Sequence, residues 1–174
     1  MRCTSGKRWP SMDANTALQD RFLTQFFTSA VADGFYLTGG TALARFYFHH
    51  RESIDLDLFT NQPDVDFDAV NRAVLGILQT LDLQIQSQVA TAAFLQYIVG
   101  DQHGVTLKVD MVRDVPVHFG DTLEINGVRL DSLENIGSNK VLAIFGRTDA
   151  KDFIDLYWIL QRTSFSFDHL YTLA

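Results

Sequence analysis

Residues 35–59 carry the pattern that most restricts the fold. Phe35 to Thr38 is a short apolar run closed by Gly39 and Gly40, after which helical spacing resumes from Thr41 to His49, so the stretch reads as strand, glycine turn and helix. Directly after it, Ile54, Leu56 and Leu58 alternate with Asp55 and Asp57, as in a strand with one apolar and one polar face. The expected fold class is α/β (α+β), a small mixed sheet flanked by helices, with a helical C-terminal part.

The rest of the chain fits that frame. Asp13 to Ala32 repeats apolar residues at helical spacing through Leu18, Phe22, Phe26 and Ala30, with Asp13 or Asn15 as its cap and Gly34 as its stop. Asp68 to Leu81 predicts an amphipathic helix, Leu83 to Val89 and Ala92 to Val99 predict strands, and a Gly100–Gly104 loop leads into a strand over Val105 to Val112. In that strand Val105, Leu107, Val109 and Met111 share one face and Thr106, Lys108 and Asp110 the other. Asn126-Gly127 inside Leu123 to Leu130 is a hairpin signal. Helices are expected from Ser132 to about Arg147 and from Asp152 to Gln161, the second with Phe153, Leu156, Tyr157 and Leu160 on its apolar side, and a third start falls at Ser166. The helical C-terminal portion is therefore expected to be short or truncated.

Composition sets outer bounds. The 174 residues, 47% of them hydrophobic, suit a single domain over residues 12–174, with residues 1–11 read as a disordered leader, an upstream extension or a cloning remnant. Cys3 is the one cysteine, which excludes an intrachain disulfide and a cysteine-based metal site. A net charge of -7 argues against a protein that coats nucleic acid and leaves room only for a local basic patch, around Arg45, Arg51, Lys108, Lys140 and Arg147. No apolar run spans a bilayer and no signal peptide is recognisable, so the expected location is cytoplasmic.

The chemistry concentrates where small residues meet carboxylates. Gly39 and Gly40 allow a phosphate to approach the backbone, a helix N-terminus supplies free N–H groups, and Thr41 adds a hydroxyl donor. Asp55 and Asp57 present hard oxygen ligands suited to Mg2+ or Mn2+, and Asp110 on another strand completes a possible set of metal ligands. Such a set suits phosphoryl-type displacement with a nucleoside triphosphate. His49 and His50 are adjacent and point apart, so they make a poor metal pair, and Phe22, Phe26, Phe46, Tyr157 and Trp158 fit core packing.

The ordered series Gly39-Gly40-Thr41-Ala42-Leu43, Arg51-Glu52-Ser53-Ile54-Asp55-Leu56-Asp57-Leu58-Phe59, Lys108-Val109-Asp110, Lys140-Val141-Leu142-Ala143 and Lys151-Asp152-Phe153-Ile154-Asp155-Leu156-Tyr157 resembles the AbiEii/AbiGii-type nucleotidyltransferase toxins of the DNA polymerase beta-like nucleotidyltransferase superfamily. It covers about residues 35 to 160. The resemblance implies that Gly39, Gly40 and Thr41 cradle the NTP triphosphate, that Asp55, Asp57 and Asp110 hold Mg2+ or Mn2+, and that Lys108 belongs to the next nucleotide-binding motif. It further implies that Lys140 meets the phosphates and that Asp152 or Asp155 serves the last catalytic motif. By the same resemblance the acceptor is RNA such as tRNA, or a protein or small molecule, and a cognate antitoxin is a partner. Two alternatives share these residues: a small-molecule, antibiotic-type nucleotidyltransferase, and a silent binding protein that keeps the fold.

Overall fold

The computed structural model describes residues 12–174, and the expectations for residues 1–11 lie outside them. Helix α1 (Met12–Phe27) starts ahead of the Asp13 or Asn15 expected to cap it. It stops five residues short of the expected Ala32, and a separate single turn follows over Ala30–Ala32. The Thr28 and Ser29 hydroxyls bond back to the carbonyls of Thr24 and Phe26, competing with the backbone for the positions where the helix ends.

Strand β1 (Phe35–Thr38) runs into Gly39, whose φ of +68° only glycine adopts without strain. One α-turn, α2 (Gly39–Thr41), then widens to π-type winding over Ala42–Tyr47, closed by Phe48 N–H on Leu43 O at 2.8 Å. Next come β2 (Asp55–Thr60), α3 (Phe67–Thr80), β3 (Gln84–Ala90), β4 (Phe94–Gly100), β5 (Thr106–Arg113), β6 (Leu123–Ile125), β7 (Val128–Leu130), α4 (Leu133–Gly146), α5 (Ala150–Arg162) and α6 (Phe167–Leu173). Caps explain three of the helix starts. The Asp66 carboxylate accepts from Asp68 and Ala69 N–H ahead of α3, Ser132 Oγ from Asn135 N–H at α4, and Ser166 Oγ from His169 N–H at α6. Asn126 and Gly127, both at positive φ, make the β6–β7 turn as expected.

All seven strands join one mixed sheet in the order β3-β4-β5-β2-β1-β7-β6. The β2–β5 and β1–β7 pairs are parallel and the others antiparallel. One sheet face buries Leu37, Leu56, Leu58, Val109 and Met111 together with Phe22, Phe26, Val70 and Val74 from α1 and α3. The strand period then forces Asp55, Asp57, Lys108 and Asp110 onto the other face, toward α4.

One helix face departs from the expected pattern. In α5 the buried residues are Asp152, Asp155, Leu156 and Ile159, whereas Phe153 and Tyr157, expected on its apolar side, are exposed. The acids win that face because three cations and a histidine of the site wait beneath it.

Candidate active site

A row of side chains crosses the open sheet face. Register places Thr38 opposite Asp57, Asp57 beside Asp110, and Asp110 opposite Gln96, while Asp55 lies beside Lys108 in the next row. Both Asp110 oxygens are engaged, one by Gln96 Nε2 at 2.9 Å and the other by Lys108 Nζ at 2.7 Å. Burial and then the neighbouring Asp110 charge push the Asp57 carboxyl up to about 6, with Lys108 opposing and Asp55 adding to the rise. Burial works against the Lys108 charge, but its bond to Asp110 prevails and holds the ammonium protonated.

The glycine turn lies directly on this row. A Cβ on Gly39 would come within 2.6 Å of Asp57 Oδ2, and one on Gly40 would collide with Arg51 Nη2, so side chains are excluded where the backbone meets the carboxylate and the guanidinium. Thr41 is placed differently from the expectation. It is fully buried, and its hydroxyl is turned from the cleft toward Ser53 Oγ, at 2.8 Å, and the Asp55 carbonyl. Ser53 carries a hydroxyl that does line the cleft.

The opposite wall is a buried ionic network. Asp155 accepts two parallel bonds from Arg51, Nε to Oδ1 and Nη2 to Oδ2 at 2.7 Å each, and a third from His50 Nε2 at 2.8 Å. Lys140 Nζ bridges Asp155 at 2.8 Å and Asp152 at 2.7 Å, and Arg147 Nε closes the chain on Asp152 at 2.9 Å. Burial alone would raise Asp155, but the bonds from Arg51, Lys140 and His50, with the Lys140 charge, hold it below the usual carboxylate range. Asp152 is likewise held low against burial, by Arg147 and Lys140. Arg51, Lys140 and Arg147 thus face two carboxylates.

Between row and network lies a cleft of 710 Å³, within the span of about 300–1,000 Å³ usual for small-molecule sites. Gly39, Gly40, Asp55, Asp57, Lys108, Asp110 and Lys140 all line it, so the structure brings these sequence-predicted residues together. Asp152 and Asp155 do not reach it but hold Arg51, Lys140 and Arg147, which do. Arg45 also lies off the cleft, bonded to Gln19 and Asp20, and His49 is exposed while His50 serves Asp155. Sequence reasoning placed Arg51 only in a local basic patch and missed Ser53 and Gln96. Arg51 stands inside the motif that ends in the paired aspartates, whereas Gln96 becomes visible only once β4 is in register with β5.

The donor set suits a hard divalent cation, since the acidic row offers oxygen ligands alone and Asp57 is held in a state that an adjacent cation would relieve. Among the described residues, however, no three acidic, histidine or cysteine side chains are drawn together as a ready-made cage. The face is shared but the cage is not closed, because Asp110 is already occupied by Lys108 and Gln96.

The fold is similar to that of several solved structures, a nucleotidyltransferase toxin among them. JHP933 from Helicobacter pylori superposes with a TM-score of 0.69 at 22% identity, covering 91% of this chain and 70% of that one. MenT4, a nucleotidyltransferase toxin from Mycobacterium tuberculosis H37Rv, gives 0.61 at 16%, with 87% and 59% covered. The Megavirus polyadenylate synthase gives 0.58 at 18%, with 89% of this chain and 32% of that one. No protein of curated function matches the sequence. The architecture is the polymerase beta-like nucleotidyltransferase fold. The glycine turn, the acidic row and the ionic network all fall within residues 21–173, which match the family "Nucleotidyl transferase AbiEii toxin, Type IV TA system", and the chain belongs to that family of nucleotidyltransferases.

Proposed function

We propose that the protein transfers a nucleotidyl group from an NTP to a hydroxyl of an RNA acceptor, with release of pyrophosphate, as the cytoplasmic toxin of a toxin–antitoxin pair. The observation that carries this reading is the bipolar cleft, with the acidic row of Asp55, Asp57 and Asp110 on one wall and Arg51, Lys140 and Arg147 on the other. A polyphosphate needs cationic partners along its length and a site for its neutralising cation at the reacting end, and the two walls supply one each.

Asp55 and Asp57 would hold Mg2+ or Mn2+ together with the substrate phosphates, since Mg2+ takes one or two carboxylates and fills its shell with water and phosphate oxygens. When bound, that cation supplies Lewis-acid stabilisation of charge on the phosphorus-bound oxygens. The remaining work falls to the chain. Gly39 and Gly40 admit the phosphates to the backbone, and Ser53 offers a hydroxyl at the cleft wall. Lys140 and Arg51, oriented by Asp152 and Asp155, face the departing pyrophosphate. Thr41 acts indirectly, tying α2 to β2 through Ser53 and Asp55. Asp110, once parted from Lys108, takes the proton of the acceptor hydroxyl as its oxygen attacks the α-phosphorus and the bond to pyrophosphate breaks.

Incubation with Mg2+, each labelled NTP and total RNA tests the proposal. RNA should become labelled, and Asp55→Ala and Asp57→Ala should each lower labelling by roughly 10²-fold or more while remaining folded. Labelling that persists in both variants defeats the catalytic assignment. Labelling confined to small alcohols would point to the antibiotic-type alternative.

A further inference from the structure

Five hydrogen bonds meet on Asp131, a fully buried residue at the junction of β7 and α4. Its N–H donates to Leu37 O at 2.9 Å, and its carbonyl accepts from the Tyr47 hydroxyl at 2.7 Å. Its Oδ1 accepts from His118 Nε2 at 2.9 Å, and its Oδ2 from Thr38 Oγ1 at 2.5 Å and from Asn135 Nδ2 at 3.1 Å. An isolated carboxylate is costly to bury, and no lysine or arginine is paired with this one among the described residues. The titratable donor is His118, whose pKa is raised chiefly by its bond to Asp131. The groups facing the imidazole are Asp131, Asp114 from beyond the end of β5, and Tyr36 of β1, whose ring meets it edge-on at 5.1 Å.

Thr38 makes this cluster more than a core tie. It is the last residue of β1, lines the cleft, and sits opposite Asp57 in register. The next residue is Gly39, at φ +68° and pressed against the Asp57 carboxylate. Wherever Thr38 is held, the glycine backbone follows.

We propose that Asp131, completed by His118, is a positioning residue of the nucleotide site: through Thr38 Oγ1 it fixes the Gly39-Gly40 turn against Asp57, an inference that rests on the nucleotide reading above. The clamp is tight while His118 is protonated and slackens as pH rises through its folded pKa, because a charge-assisted bond to a carboxylate is the stronger form.

Hydrogen exchange of the ligand-free protein tests the clamp without any nucleotide. Thr38→Val removes the donor at constant size and should lower the protection factor of the Ala42 N–H, which bonds to Gly39 O, about tenfold, with β2 and β5 unchanged. Thr38→Ser, which keeps the hydroxyl, should retain it. Protection at Ala42 should also fall with rising pH in the wild type and stay flat in His118→Gln, which donates but does not titrate. Calorimetry with an NTP and Mg2+ should show affinity about tenfold weaker in Thr38→Val. Unchanged protection in Thr38→Val, or loosening spread evenly over the sheet, overturns the clamp. A wild type that binds no NTP while the exchange results hold would sink the nucleotide reading and leave the clamp standing as a fold device.

Discussion

Asp57 sits mid-row between Thr38 and Asp110, and burial followed by the Asp110 charge raises its carboxyl to about 6. Its folded pKa thus exceeds that of the unfolded chain, so between these values the folded state holds the extra proton. The stability it contributes is full below the unfolded value near 4 and is lost as pH rises through about 6. With metals chelated, the wild type should therefore lose melting temperature between pH 4 and 7 relative to Asp57→Asn, whose curve lacks that component. Parallel curves over the window would show that Asp57 is not held protonated. The residue itself was legible, because alternation in IDLDLF and VTLKVDM is enough to put Asp55, Asp57 and Asp110 on the polar faces of their strands. The burial of Thr41 was not. Whether a hydroxyl after a glycine turn faces a ligand or the next strand depends on where Ser53 and the Asp55 carbonyl lie, and that is tertiary information.

At the scale of elements, α5 offered two helical faces. The apolar one through Phe153 and Tyr157 was the natural expectation, and the helix instead buries Asp152 and Asp155 beside Leu156 and Ile159. Periodicity counts apolar residues and is blind to acids whose cations arrive from elsewhere: Arg51 from the loop before β2, and Lys140 and Arg147 from α4 and its end. For the same reason the Asp131 cluster left no trace in the sequence, since its partners Thr38, Tyr47 and His118 come from three separate segments. The strand order was equally hidden, because β2 pairs with β5 across two intervening strands. The network makes Lys140 a structural as well as a site residue. Lys140→Ala would leave two buried carboxylates short of a cation and should cost about 3–5 kcal/mol, lowering the melting temperature by about 10 °C, whereas Asp55→Ala should not lower it. Calorimetric melting of both variants checks this, and an unshifted Lys140→Ala would mean that water already compensates the pair.

The whole molecule carries a net charge of -7, yet the cleft does not share it. Arg51, Lys108, Lys140, Arg147 and Lys151 line it against Glu52, Asp55, Asp57, Asp110 and Asp114, so the lining is balanced and the excess negative charge lies elsewhere. The RNA acceptor proposed above would therefore be repelled by the bulk of the surface and drawn only to the cleft mouth. There Arg147 and Lys151 are exposed, while Arg51 and Lys140 lie deeper in the cleft. Each phosphate neutralised on a single strand contributes about -0.7 to the slope of log affinity against log salt. Two or three such contacts give roughly -1.5 to -2, made shallower because salt also screens the general repulsion. The Michaelis constant for RNA, measured from about 50 to 200 mM salt, should follow that gentle slope, and Lys151→Ala should reduce it by about 0.7 without changing NTP affinity. A slope steeper than about -4 would require a broad basic surface that the described residues do not provide. That result would move acceptor binding away from the cleft mouth.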